Sequence, residues 1–346
     1  MSLRPLLPPD RPWLALAPMQ DVTDLTFWKA MHRYGGPDVY YTEYIRVHEN
    51  SRPDRDVVRA VTENPTGRPA IVQMIGQDIP SLVRVARQLQ RLPVCAIDLN
   101  LGCPAPIVCR KEAGGGLLRN LPKIDAILRA LREAIEIPFT VKTRIGFDRP
   151  EECDALLDLF ARHPIDLLTV HGRTVREMYR TEVHYDRIAQ IVRRMPCPVL
   201  ANGNVLSVRL AREIAAETGA AGLMIGRGAI RNPWLFEQIR AQWEGRPVFR
   251  PTLRDVRGYV EHLYEATAQP GFREADHVSK MKKYLNFIGQ GIGEGEAFLK
   301  DARAAGSGRA FFAACDRHLS DDAPLPDEPP GRSLRCARSE QLAQLG

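Results

Sequence analysis

No apolar run in this sequence approaches the roughly 20 residues needed to cross a bilayer. The opening MSLRPLLPPDRPW also holds no apolar segment long enough for a secretory signal. A cytoplasmic protein with no membrane partner is therefore expected. Cysteine is sparse: seven residues, an odd number, with no C-x-x-C pair and no tight cluster. That spacing speaks against a disulfide framework and a structural zinc, so no metal is expected. Missing too are G-x-G-x-x-G, a Walker A loop, H-E-x-x-H and G-x-S-x-G, which removes the commonest nucleotide, metalloprotease and serine-hydrolase signatures. Charge of one sign is not concentrated. Lys and Arg total 48 against 42 Asp and Glu, a net charge of +6 scattered along the chain without a polybasic tail. Such a balance favours polyanionic partners without requiring one.

What the sequence does have is a regular alternation. Short β-rich apolar runs recur as WLALAPM (13–19), VYYTE (39–43), AIVQMIG (70–76), CAIDLN (95–100), FTVKTR (139–144), DLLTVHG (166–172), PVLANGN (198–204) and AGLMIGRG (221–228). Between them lie stretches of helical period such as IPSLVRVARQLQRL, KIDAILRALREAI and SVRLAREIAAET. Eight strands, mostly followed by a helix, point to an α/β protein with a TIM (β/α)8 barrel. Two connections, 44–69 and 100–121, are long, and long structured loops belong to the active face of such a barrel. After Trp234 the alternation stops, and 252–318 reads as helical throughout. The expected organisation is a barrel over 1–245, a smaller all-helical domain over 246–320, and a Pro- and charge-rich disordered tail over 321–346. The length suits a monomer of one large and one small domain.

Catalytic groups of a TIM barrel sit at the C-terminal ends of its strands. Here those ends carry Pro18-Met19, Glu43, Gln73, Asn100 with Cys103, Lys142 with Arg144, His171 with Arg173, Asn202 with Asn204, and Gly226-Arg227. The glycines of ANGN and IGRG let backbone N–H groups approach an anion, as the last two loops of this barrel do for phosphate. Tight turns that need glycine for conformation alone are the plainer account. Lys142 lies in an otherwise apolar strand and needs a partner, either an anionic ligand or a neighbouring acid. Gln73 and Asn100 can read a heterocycle or satisfy loop backbone. His171 is a ligand donor or a structural histidine. Gly114, Gly115 and Gly116 read as a flexible hinge. Cys103 follows an asparagine and a glycine at the barrel mouth, where a thiol is a nucleophile, an acid or inert packing.

Together APMQDVTD, TEYIRV, VQMIG, DLNLGCPAP followed by AGGGLL, VKTRIG, VHGRT, ANGN and MIGRGAIRNP resemble the tRNA-dihydrouridine synthase family, in order from about residue 14 to 240. Thr42-Glu43-Tyr44 leans toward its bacterial C-type branch. The resemblance implies an FMN-holding TIM barrel, reduced by NADPH, that reduces the 5,6 double bond of chosen uridines in tRNA. It implies that Pro18, Met19, Gln20, Gln73, Lys142, His171, Asn202, Gly203 and Asn204 contact the flavin, with Gly226 and Arg227 on its phosphate. Cys103 matches the acid that protonates C5 of uracil, and Asn100 the residue that holds the uracil edge. Arg144 and Arg173 are assigned to the substrate. The helical segment resembles the family's tRNA-binding domain, where Lys280, Lys282 and Lys283 of HVSKMKK are candidates for the phosphate backbone; a solvated helix face is their other reading. Asn204 stands where the family has an acid. A small-molecule flavin dehydrogenase of the dihydroorotate or dihydropyrimidine type is the alternative on the same barrel, although a small substrate needs neither the helical appendix nor the basic charge.

Overall fold

The computed structural model describes residues 3, 8–268, 271–293 and 296–329. Its sheet has nine strands: β1 Trp13–Leu16, β2 Val39–Tyr41, β3 Ile45–Arg46, β4 Ala70–Ile75, β5 Ala96–Leu101, β6 Phe139–Arg144, β7 Leu167–His171, β8 Val199–Asn202 and β9 Gly222–Ile225. All pairings are parallel. β1 joins both β2 and β9, β2 joins β4, and β4 to β9 pair in sequence, which closes eight strands into a barrel. The eight expected strands are all present. The short β3, inside the expected excursion 44–69, is additional and extends β4 beyond the point where β2 leaves it.

Side chains two apart on a strand share a face. That alternation divides the barrel interior into an apolar floor and a polar mouth. Trp13, Ala15, Val39, Tyr41, Ile71, Ala96, Leu167, Leu200 and Met224 belong to one buried cluster. Two residues further along the same faces come Gln73, Asp98, Thr169 and Asn202, and on β5, β6 and β7 the series continues to Asn100, Arg144 and His171. The strands thus run from an apolar end, which holds the barrel together, to a polar end that can meet a ligand.

The helices of this layer are set by local signals. Asp54, Asp78 and Asn120 accept backbone N–H bonds at the starts of Arg55–Thr62, Ile79–Leu89 and Leu121–Ala134. The last of these buries Ile124, Ile127, Leu128 and Leu131, the i, i+3, i+4, i+7 stripe of a helix with one apolar face.

By internal packing the chain forms two compact units. The first comprises 1–25, 37–205 and 212–225; the second comprises 26–36, 206–211 and 226–346. From residue 226 on, the described helices of the second unit are Arg227–Arg231, Leu235–Trp243, Leu253–Thr267, Glu274–Ile288, Ala297–Ala304 and Gly308–His318; most of Leu25–His32 also belongs to it. Tyr34, Trp234 and Tyr259 meet edge-on at its centre, and Tyr259 donates to Ile230 O at 3.1 Å. The tail expected to be disordered from 321 is tied down over 321–329. Pro324 bridges Thr252, Leu325 is buried, and its N–H donates to Pro251 O at 2.8 Å. Backbone pairing and one buried leucine outweigh the Pro-rich composition there; residues 330–346 of that tail lie outside the described residues.

Candidate active site

Cys103 is held by its backbone. Asn100 Oδ1 accepts from Cys103 N at 2.9 Å and from Gly102 N at 3.0 Å, an Asx turn that swings the chain off the end of β5. Asn100 Nδ2 donates to Gln73 Oε1 at 2.8 Å, and Gln73 Nε2 donates to Asp98 Oδ2 at 2.7 Å. Thr140 Oγ1 donates to the other Asp98 oxygen. A continuous chain of side-chain hydrogen bonds therefore runs from the fully buried Asp98 to the cysteine loop. Burial pushes the Asp98 carboxyl up to about 6, against the two donors, which favour its charged form. Sequence reasoning passed over Asp98 because AIDLNL reads as an apolar strand, although a carboxylate two residues before Asn100 on the same face was there to find.

The three glycines at 114–116 are not a hinge. They form the start of a 3-10 helix, Gly114–Arg119, and all three are buried. Gly115 N donates to Cys103 O at 3.0 Å, and a Cβ on Gly115 would stand 2.8 Å from that oxygen. A Cβ on Gly116 would stand 2.6 Å from Cys109 O. These residues are glycine because two backbones approach closely beneath the cysteine loop.

Arg144 braces the same loop from β6. Its Nε donates to Gly102 O, and its Nη1 to Thr174 O and Met178 O, all at 2.9 Å. Its guanidinium also lies over Tyr179, 5.3 Å from the ring centre. The arginine that was assigned to substrate is buried and committed, at these donors, to joining two loops. Lys142, two residues earlier, donates through Nζ to Asn202 Oδ1 at 3.2 Å. Burial first, then the Arg144 charge, lowers the Lys142 ammonium to about 8. Asn202 in turn donates to Met224 O at 2.8 Å. Register sets Lys142 opposite Asn100 and Thr169, and His171 opposite Arg144 and Asn202. His171 is buried, with Tyr179 edge-on to it. Arg173 is fully buried and donates to Thr181 O at 2.7 Å and to Asn204 Oδ1 at 3.4 Å. Asn204 has φ of +47° and Gly203 φ of +133°, so both occupy left-handed backbone that asparagine and glycine tolerate best.

On β1 the chain continues into Pro18, Met19 and Gln20, all half-buried. Met19 starts a turn closed by Val22 N and Thr23 N on its carbonyl, each at 3.0 Å. Glu43, two residues past β2, accepts from Val22 N at 2.9 Å and fixes this turn from the neighbouring strand's loop. Burial raises the Glu43 carboxyl to about 7. Gln20 Oε1 is buried with no hydrogen-bond donor among the described residues.

Within the first unit, then, the structure gathers Gln73, Asn100, Cys103, Lys142, Arg144, His171 and Asn202 at the ends of adjacent strands. Gly226 and Arg227 directly follow β9, with Arg227 opening the helix Arg227–Arg231, and they pack with the second unit. Lys280, Lys282 and Lys283 lie on the helix Glu274–Ile288 of that unit. Lys280 and Lys283 share a face and Lys282 points elsewhere, by the 3.6-residue period. Lys280 donates to Thr26 Oγ1 at 3.4 Å. No helix among the described residues is long and apolar enough to cross a membrane.

The family model described as dihydrouridine synthase (Dus) matches residues 15–318. A tRNA-dihydrouridine(16) synthase of Haemophilus ducreyi is 32% identical over 80% of this chain and 86% of its own. A tRNA-dihydrouridine synthase B of Pseudomonas syringae pv. tomato is 37% identical over 65% of this chain and 67% of its own. Among solved structures, histamine dehydrogenase from Rhizobium sp. 4-9 aligns with a TM-score of 0.52 at 14% identity, over 74% of this chain and 49% of that one. This chain spans about half of that structure's length, and the likeness is one of fold alone.

Proposed function

The chain belongs to the dihydrouridine synthase family, and from that premise we propose that it reduces the 5,6 double bond of uracil at chosen positions of tRNA. The observation that carries this reading is the placement of Cys103. Its loop is pinned by Asn100, Gly115 and Arg144, so the backbone that carries the thiol is held in place just past the end of β5. Such a thiol needs no activating base to act as an acid. It needs only to be protonated and close to the carbon that gains the proton.

FMN fits the residues of the first unit. Gln20 offers a buried acceptor without a donor among the described residues, Gly203 has the backbone freedom that close approach to a ligand requires, and Lys142 is a cation whose burial an anionic group would offset. Pro18, Met19, Gln20, Gln73, Lys142, His171 and Asn202-Gly203-Asn204 would hold the flavin. When bound and reduced by NADPH, the flavin supplies a hydride to C6. Cys103 supplies the proton to C5. Asn100 orients that thiol first, and its second amide N–H is what it has left for the uracil edge. The target base has to leave its stack to reach this mouth, while Lys280 and Lys283, of the three candidate lysines the pair that shares a helix face, would hold the phosphate backbone.

The test is to record the visible spectrum of the protein, reduce it anaerobically with NADPH and add tRNA that lacks modifications. Flavin reoxidation with dihydrouridine in the tRNA is the expected result. Cys103→Ala should keep the flavin and its reduction by NADPH, yet lose about 100- to 10,000-fold in product formation. Reoxidation by a free pyrimidine, with tRNA ignored, would sink the reading.

A further inference from the structure

The hydrogen bonds between Asp98 and the cysteine loop run in one direction only. At the loop end the donors are Gly102 N and Cys103 N, and a backbone N–H cannot accept. Asn100 must therefore turn its oxygen to the loop and its nitrogen to Gln73, where Nδ2 donates to Oε1 at 2.8 Å. That leaves the Gln73 nitrogen to face Asp98 Oδ2, at 2.7 Å. Position 98 then has to supply an acceptor, and an ionised carboxylate supplies nothing else. Register places Asp98 opposite Gln73 on β4 and opposite Thr140 on β6, and Thr140 Oγ1 donates to the second carboxyl oxygen. A proton taken up by Asp98 can sit on that second oxygen, because a hydroxyl accepts as well as donates. The direction of the chain survives it. Gln73, Asp98 and Thr140 are fully buried and Asn100 is buried, so bulk solvent does not compensate an amide turned the wrong way. The backbone of Gln73 is itself fixed, its N–H donating to Thr42 Oγ1 at 3.0 Å. What remains able to turn is the amide of each side chain.

Resting on the proposed role of Cys103 as acid, we infer that Asp98 is a positioning residue for the Cys103 loop, fixing which way the Gln73 and Asn100 amides point. The loop peptides are held on their carbonyl side by other groups: Arg144 Nε donates to Gly102 O at 2.9 Å and Gly115 N to Cys103 O at 3.0 Å. Their N–H side is held by Asn100. A Gln73 amide turned over would set its nitrogen against the Asn100 nitrogen. Turning Asn100 to relieve that would aim an NH2 group at two backbone N–H groups. Donors that face donors gain no bond and leave buried groups unpaired. Asp98 prevents this from the far end of the chain, acting on the loop through two amides.

The test compares Asp98→Leu, which removes the acceptor at similar size, with Asp98→Asn, which keeps one oxygen for Gln73 and turns its nitrogen to Thr140 Oγ1. Hydrogen exchange of the peptide that carries Gly102 and Cys103, read by mass spectrometry on the full-length protein, reports the Asn100 bonds without any turnover. In Asp98→Leu that peptide should exchange about tenfold faster, the worth of one hydrogen bond. The peptide of β8 should keep its wild-type rate. Single-turnover dihydrouridine formation by the reduced, flavin-loaded enzyme should fall about 10- to 100-fold, since the loop no longer holds the thiol in place. Asp98→Asn should bring both readouts back near wild type. The near-isosteric pair Asp98→Asn/Thr140→Val serves where the Leu variant does not fold. There the amide nitrogen at position 98 has lost its acceptor, so the wrong orientation competes, and exchange should rise by more than the two single variants together account for. Wild-type exchange or wild-type turnover in Asp98→Leu would overturn the inference, as would an Asn variant as impaired as the Leu variant or purely additive effects in the double variant. A fully active Cys103→Ala would instead overturn the reading on which it rests, leaving the exchange results in place.

Discussion

The side-chain oxygen of Asn100 takes the backbone N–H of Cys103 at 2.9 Å, and the side-chain nitrogen of the same residue is bonded to Gln73. One amide therefore connects the Cys103 loop to the buried carboxyl of Asp98, which bonds the far side of Gln73. Asn100→Ala leaves the N–H groups of Gly102 and Cys103 without their acceptor. It should destabilise the fold by about 1–3 kcal/mol for each buried group left unpaired. Product formation should fall more than tenfold while the flavin stays bound, because the thiol is no longer held in one place. Denaturant unfolding and single-turnover assays read the two effects separately. Unchanged turnover would show that the Cys103 loop keeps its place without Asn100.

Lys142 sets a dependence on alkaline pH. Its folded-state value of about 8 is below the roughly 10.4 of an unfolded chain. Between those values the unfolded state binds more protons, so stability contributed through this group rises with pH from about 8 to about 10. Lys142→Met should flatten that part of the curve, as seen by comparing unfolding midpoints at the two ends of the window. Activity moves the opposite way. The cation is present below about pH 8 and disappears above it, so turnover should decline through that pH in the wild type. A wild-type profile flat across pH 8 would exclude the Lys142 charge from the reaction.

Much of this arrangement was legible in the sequence. The eight barrel strands appear there because each is an apolar run of at least three residues followed by a polar end, and the barrel uses both halves of that pattern. Cys103, Lys142 and Asn202 could be placed at the mouth for the same reason. β3 could not, since Ile45–Arg46 is too short for any periodicity to register. The glycines at 114–116 were misread because composition does not distinguish a free chain from one pressed against Cys103 O and Cys109 O. Arg144 and Arg173 illustrate a third limit. Their positions at strand ends are visible, but only coordinates show that Arg144 spends three hydrogen bonds on loop carbonyls and that Arg173 holds Thr181 and Asn204.

Glu43 gives a second pH effect, of opposite sign to that of Lys142. Burial raises its carboxyl to about 7, from roughly 4.3 in an unfolded chain. The folded state then binds more protons between those values. Stability from this group is fully present below about pH 4.3 and is lost as pH rises through 7. Glu43→Gln keeps an oxygen for Val22 N and cannot ionise. It should raise the unfolding midpoint at pH 8 relative to wild type, while changing little at pH 5. Equal shifts at both pH values would mean that ionisation of Glu43 is not what the substitution removes.

The helix Glu274–Ile288 offers a geometric test of tRNA binding. At about 100° per residue, Lys280 and Lys283 stand about 60° apart, whereas Lys282 is about 160° from Lys280 around the helix. A surface that tracks a phosphate backbone from one side can use the first pair together but cannot add Lys282 on the same face. Each neutralised phosphate contributes roughly 0.7–0.9 to the slope of log affinity against log salt. The double variant Lys280→Gln/Lys283→Gln should therefore reduce that slope by about 1.5 and weaken binding at low salt, with Lys282→Gln close to wild type. Circular dichroism checks that the helix is intact in each. The reverse pattern, a reduced slope in Lys282→Gln alone, would turn the helix around and assign its other face to tRNA. A slope unchanged in all three variants would remove this helix from the binding surface.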